Sequence, residues 1–92
     1  MKAIFKYNLP VKLAVLSPEK IEIQKGAIFL KAKNQREELS LWFEVDPEET
    51  EVEDVHFFIV HTGDYLPDNK KKYLETVLFD DGSYVVHLYR LL

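Results

Sequence analysis

The strongest constraint on this chain is its punctuation. Apolar and polar residues alternate in short runs, and turn-forming residues cut those runs at Pro10, Ser17-Pro18, Gly26, Asn34, Asp46-Pro47, Gly63, Pro67 and Asp80-Asp81-Gly82. The runs are mostly shorter than the ~11–12 residues of an average helix, whereas a strand needs only ~5–6. Alternation with a period of two places every second side chain on one face, the pattern of a strand half-buried in a sheet. Ala3, Phe5, Tyr7 and Leu9 point one way and Lys2, Lys6 and Asn8 the other, with Ile4 as the exception. Val11, Leu13 and Val15 continue the alternation up to Ser17-Pro18. Ile21 and Ile23 alternate with Lys20, Glu22 and Gln24, and Lys25-Gly26 reads as a tight reversal into Ala27–Lys33. Leu39, Leu41, Phe43 and Val45 give the clearest strand, broken only by Trp42 on the polar side.

Val55–His61 differs in being apolar on both faces, which predicts a central strand covered from both sides. It empties into His61-Thr62-Gly63-Asp64-Tyr65-Leu66-Pro67-Asp68, the most chemically varied loop of the chain. Beyond it, Tyr73, Leu74, Val77 and Leu78 fit one helical face as well as a strand, so 69–79 is open to either. The turn Asp80-Asp81-Gly82-Ser83, followed by the β-rich 83–90, favours a hairpin of 73–80 with 83–90. The expected fold is all-β: one small antiparallel sandwich or barrel over residues 1–92, with about seven or eight short strands and at most one short helix.

A chain of 92 residues buries roughly 60–68% of its unfolded surface, enough for one modest core. Apolar residues at 47% and charged residues at 30% place it among folded domains. With no cysteine, a disulfide, a thiolate metal site and a cysteine nucleophile are all excluded. No apolar run approaches the ~20 residues of a membrane span, and the first residues lack the apolar core of a signal peptide. A cytoplasmic protein without membrane contact is expected. Net charge is −4, which argues against direct nucleic-acid binding through clustered cations.

Three constellations can carry function. The first is His61 with Asp64, helped by His87 or Asp68, as an acid–base pair or the start of a metal-dependent hydrolase site. The simpler reading is a hydrogen-bonded turn in which Asp64 caps backbone N–H groups and Gly63 takes a positive φ. The second is a nucleotide platform: Trp42, Tyr65, Tyr73 and Tyr89 as stacking surfaces, with Arg36 and Lys71 of the triplet Lys70-Lys71-Lys72 facing a phosphate. There is no glycine-rich phosphate loop to support it. The third is the run from Glu44 to Asp54, with seven acidic residues in eleven, among them Glu48, Glu49, Glu51 and Glu53. Beside Trp42 it can engage a basic protein surface, or simply be a solvated loop. No serine sits in a glycine-flanked elbow, so an enzyme is not expected, and neither is a cofactor or metal.

In order along the chain stand Phe5-Lys6-Tyr7, Lys25-Gly26-Ala27, Leu41-Trp42 with Val45-Asp46-Pro47, His61-Thr62-Gly63-Asp64 with Pro67-Asp68, and Val86-His87-Leu88-Tyr89. This series resembles a family of small proteins of bacteriophages, prophages and bacteria that share these motifs, with a glycine-threonine-glycine-histidine loop where this chain has His61 and Asp64. The resemblance implies a phage-type accessory domain. It brings no established activity, and the altered loop histidine weakens a catalytic role for it. The expected function is therefore a non-enzymatic accessory protein that binds a bacterial host protein, such as a defence or regulatory factor, through Trp42 and the acidic run. The alternatives are sequestration of a signalling nucleotide, or metal-dependent hydrolysis. A homo-oligomer is compatible with each.

Overall fold

A computed structural model of the chain, describing residues 1–10 and 18–92, is built almost entirely of strands. They are β1 (Ala3–Leu9), β2 (Glu19–Gln24), β3 (Ile28–Gln35), β4 (Glu38–Val45), β5 (Val52–His61), β6 (Lys71–Phe79) and β7 (Tyr84–Leu91), with a short 3-10 turn at Asp80–Gly82. The alternation expected at Val11, Leu13 and Val15, and Ser17 of the break expected after it, lie outside the described residues. Two antiparallel sheets form, a three-stranded one in the order β1-β4-β3 and a four-stranded one in the order β2-β5-β7-β6. This is the expected all-β sandwich, and the expected hairpin at the C-terminal end is β6–β7.

Each sheet turns one set of alternating side chains inward. From the three-stranded sheet come Leu9, Ala32, Leu39, Leu41, Phe43 and Val45; from the other come Ile21, Ile23, Val55, Phe57, Ile59, Val77, Phe79, Val86 and Leu88, all buried in one cluster. Phe43 is its hub. Its ring meets those of Tyr7 at 5.9 Å, Phe29 at 5.7 Å and, across the two sheets, Phe57 at 6.0 Å, each edge-on.

Two sequence expectations are corrected by the pairing. Lys25-Gly26 is a tight turn, with Gly26 at φ +84° and Ala27 N–H donating to the Gln24 carbonyl at 3.2 Å. It does not join paired strands, however. Ile21 and Ile23 align with Val55 and Glu53 of β5, so the turn carries the chain from one sheet to the other. For the same reason the acidic linker is shorter than its composition suggests. Glu53 and Asp54 already belong to β5, aligned with Ile23 and Glu22 of β2.

The sandwich is closed along the side where the edge strands β3 and β6 approach. Side chains replace ladder bonds there: Ala32 N–H donates to Glu75 Oε1 at 3.3 Å and Asn34 Nδ2 to the Leu78 carbonyl at 3.2 Å. At the adjoining end, the β3–β4 turn and the β6–β7 turn are latched together by Glu37. Its carboxylate accepts from Asn34 Nδ2 and from Asp80 N–H, both at 3.2 Å. Both turns use left-handed backbone at residues other than glycine: Arg36 (φ 55°), Glu37 (64°), Asp80 (50°) and Asp81 (57°). The pair Arg36-Glu37 meets the positive-φ requirement of a two-residue hairpin turn without the usual asparagine or glycine.

β5 and β6 both run antiparallel to β7, which lies between them, so they are parallel to each other. Segment 62–70 must return from one end of the sheet to the other, and the inner face is filled. It therefore crosses the outer face as a strap, tethered at its start by Thr62 Oγ1 to His87 Nε2 at 2.8 Å. The second apolar set of β5 lies on that outer face. Phe58 and Val60 point away from the central cluster yet are only 5% and 7% exposed. Phe58 stacks on Tyr89 at 5.4 Å, and Tyr89 in turn meets Tyr73 at 5.6 Å.

Phe57 is fully buried at the sheet-to-sheet contact, so Phe57→Ala is expected to destabilise the domain by about 3–5 kcal/mol in denaturant unfolding. Arg36→Gly relieves a left-handed side-chain clash of about 1–2 kcal/mol and gives back part of it as glycine's chain entropy. The same unfolding experiment should show a net gain of about 0.5–1 kcal/mol. A loss would mean that Arg36 makes a stabilising interaction.

Candidate functional site

The His61-Thr62-Gly63-Asp64 turn brings two of its polar groups together and separates the third candidate. Asp64 N–H donates to the His61 carbonyl at 3.1 Å, and His61 N–H to Asp64 Oδ2 at 3.3 Å, with Gly63 at φ +98°. The same carboxylate oxygen lies 3.6 Å from His61 Nδ1. On the other side of the ring, Nε2 is 2.6 Å from the Tyr84 hydroxyl. A carboxylate beside Nδ1 favours the tautomer protonated there, so the Tyr84 O–H donates to Nε2. Asp64, His61 and Tyr84 thus form a relay that ends on a phenol.

His87 is not part of it. Alignment of His61 with Val86, and of His87 with Val60, sends the two imidazoles to opposite faces of the four-stranded sheet. His87 faces outward, between Thr62 Oγ1 at 2.8 Å and Thr76 Oγ1 at 3.0 Å, and Thr76 also meets the Tyr73 hydroxyl at 2.6 Å. His61, Asp64 and His87 therefore do not converge. Among the described residues no group of three histidine or carboxylate side chains is placed to hold a metal ion.

The nucleotide constellation is dispersed as well. Arg36 sits in the β3–β4 turn, which is latched to the Phe79–Asp80 end of β6, whereas Lys71 opens β6 at the other end. Eight strand residues separate those ends, roughly 26 Å at ~3.3 Å each. Lys71 Nζ is also engaged by the Pro67 and Asn69 carbonyls at 2.5 and 3.1 Å, where it ties down the end of the strap. Tyr65 is fully exposed on the strap, and Trp42 belongs to the other sheet.

The acidic run is spread over several surfaces. Asp46 caps the Glu48 N–H at 3.0 Å and Glu49 the Glu51 N–H at 3.0 Å, which are turn-forming roles. Glu51 pairs with Lys25 at 3.3 Å and Asp54 with Lys20 at 3.7 Å, while Glu53 is half-buried within β5. Glu44 lies on the outer face of β4, aligned with Ile4 and Ile28. The single acidic contact face expected from the sequence is not assembled.

Another surface is. On the outer face of the three-stranded sheet, Ile4 and Ile28 flank Glu44, and in the next row Lys6 and Lys31 flank Trp42. Leu30 occupies the bulge in β3 beside that row. Ile4, Ile28 and Leu30 are 66%, 53% and 45% exposed. A cross-strand apolar patch centred on tryptophan is uncommon on the solvent face of a sandwich. Its rim is basic: Lys6, Lys31 and Lys33 all stand on this face in a chain of net charge −4. The sequence carried the signal as two pattern breaks, Ile4 and Trp42, which lie 38 positions apart and come together only through β1–β4 pairing.

These features define a small two-sheet all-β domain with one strapped outer face and one open, tryptophan-centred outer face. No helix among the described residues is long and apolar enough to cross a membrane. The chain belongs to the family described as a domain of unknown function (DUF7352), whose model matches residues 1–92. No curated protein and no solved structure matches it.

Removing the strap's tether with Thr62→Val should cost about 0.5–1.5 kcal/mol locally and speed amide hydrogen exchange through 62–70 while leaving the buried strands protected. Unchanged exchange in the strap would show that the Thr62–His87 bond does not hold it.

Proposed function

We propose that this protein is a non-enzymatic binding module that engages a partner protein through the outer face of the three-stranded sheet. The observation that carries this reading is the exposed cluster of Ile4, Ile28 and Leu30 around Trp42. Trp42 is half-buried on the middle strand, between Lys6 and Lys31, and tryptophan is among the residue types enriched at interface hot spots. Three strands ~4.8 Å apart and about seven residues long give a flat area on the order of 300 Å². A stable interface needs about 800 Å² from each partner. The patch therefore serves as the dry centre of a contact that extends over the lysines around it. The complementary surface is apolar with an acidic rim, the reverse of the basic partner that the acidic run implies. A bacterial host factor as partner, met in the cytoplasm, is what the resemblance to phage-type proteins implies, and it is the finer part of the proposal.

Affinity capture from a bacterial extract, quantified side by side for four chains, tests this. A partner held by the wild type should be lost by at least about 30-fold with Trp42→Ala or Ile28→Lys. It should be retained when Glu48, Glu49, Glu51 and Glu53 are reversed to lysine. Thermal melts of the variants confirm that the fold survives. Loss on acidic reversal, with Trp42→Ala binding normally, returns the contact to the acidic run and refutes the sheet-face reading.

A further inference from the structure

The latched end of the sandwich encloses a space that the sheet faces do not use. Where the C-terminal end of β1 meets the two turns, a cleft of about 840 Å³ opens, within the size range of small-molecule sites. Its walls are mainly apolar, formed by Leu9, Pro10 and the rings of Phe79 and Tyr84. Three carboxylates also line it, Glu37, Glu38 and Asp80, and no cationic side chain among the described residues does.

The polar groups differ in how far they are already committed. Both Glu37 oxygens hold the latch between the turns, and Asp80 Oδ2 accepts from Ser83 Oγ at 2.9 Å, so these two fix the shape of the rim. Glu38 makes no hydrogen bond or ion pair among the described residues and is exposed. With Nδ1 of His61 protonated beside Asp64, the Tyr84 O–H donates a hydrogen bond to His61 Nε2 at 2.6 Å. Its oxygen is left as an acceptor, made more electron-rich by donating. An apolar floor, aromatic faces, a free carboxylate and an acceptor phenol together suit a positively charged donor with a hydrophobic body. The carboxylates do not converge into a metal cage, which leaves an organic cation.

We propose that this cleft binds a small organic cation, a protonated amine carried on an apolar or aromatic body. The amine is held by Glu38 and the Tyr84 oxygen, and the body lies against Pro10 and the Tyr84 ring, over the buried Leu9 and Phe79. Tyr84 is a binding residue in this site, while His61 and Asp64 are positioning residues that act through it. The proposal is independent of the sheet-face contact, since Trp42 and the cleft occupy different surfaces.

A two-dimensional NMR titration of the full chain with three probes of one shape tests it: phenethylammonium, the neutral 2-phenylethanol and the anionic phenylacetate. A ligand of this size should bind in the high-micromolar to millimolar range. Phenethylammonium is expected to give saturable shifts at Asn8, Glu38 and Tyr84, 2-phenylethanol weaker ones at the same residues, and phenylacetate none. Glu38→Gln, at an exposed residue whose side chain has no partner among the described residues, should weaken phenethylammonium by about 5-fold, and Tyr84→Phe by a similar factor. Equal binding of all three probes, preference for phenylacetate, an absence of saturable shifts with phenethylammonium, or binding unchanged by Glu38→Gln would each overturn the assignment.

Discussion

Everything in this domain depends on the contact between Phe43 and Phe57, ring centroids 6.0 Å apart, where the two sheets meet. The sheets are interleaved along the chain. The chain passes from the three-stranded sheet to the four-stranded one and back again before β3, and leaves once more after β4. No sheet can therefore form from consecutive strands and dock afterwards as a finished unit. The apolar faces have to find each other while the strands pair, and long-range pairing of this kind is slow. Phe43 is suited to hold that arrangement because it lies in the middle strand of its sheet, where Tyr7 from β1 and Phe29 from β3 close on it from both sides. One ring thus ties three strands to the opposing sheet.

A filled interior has a consequence for function: recognition is left to outer faces, the seam and the ends. At the seam, Glu75 and Asn34 satisfy backbone groups of β3 and β6 that would otherwise be free to recruit another chain. At the adjoining end, Glu37 joins the two turns, and the chain accepts left-handed backbone at four charged residues to place it there. Glycine or asparagine at those positions would be less strained. Two of the four, Glu37 and Asp80, line the cleft, so part of that strain lies where the surface chemistry is.

The strands were legible because their signal is local. Leu39, Leu41, Phe43 and Val45 announce β4 by their spacing alone, and Asp80-Asp81-Gly82 announces the final hairpin by its turn chemistry. Pairing was not legible, because β1 meets β4 and β2 meets β5 across 28 to 42 residues. The site errors follow from that gap. His61 and His87 look like partners in sequence, but a register that aligns each with the other's neighbour sends them to opposite faces. The acidic run looks like one surface, but Glu53 and Asp54 are drawn into β5 by β2, and the rest cap turns or pair with lysines. Ile4 and Trp42 were visible only as exceptions to alternation. They acquire a meaning when pairing puts them on one face.

The two outer faces answer the same physical problem in opposite ways, and the difference bears on which one works. β5 carries Phe58 and Val60 on the outside of its sheet, the face that the strap 62–70 crosses; Tyr89 stacks on Phe58, and both side chains fall below a tenth exposed. The tether at Thr62 and the clasp of Lys71 on the Pro67 and Asn69 carbonyls hold that cover in place. Nothing comparable among the described residues shields Ile4, Ile28 and Leu30, each close to half exposed or more. A sequence that supplies a nine-residue cover for one apolar face has the means to bury such residues, or to replace them with polar ones at little cost, since alternation elsewhere in β1 and β4 does so. Leaving three large aliphatic side chains around a tryptophan in water costs solubility and gains no stability for the isolated domain. That balance is reversed only when a second surface covers them. The open face, and not the turn with two histidines nearby, is where the fold spends surface that folding alone does not need.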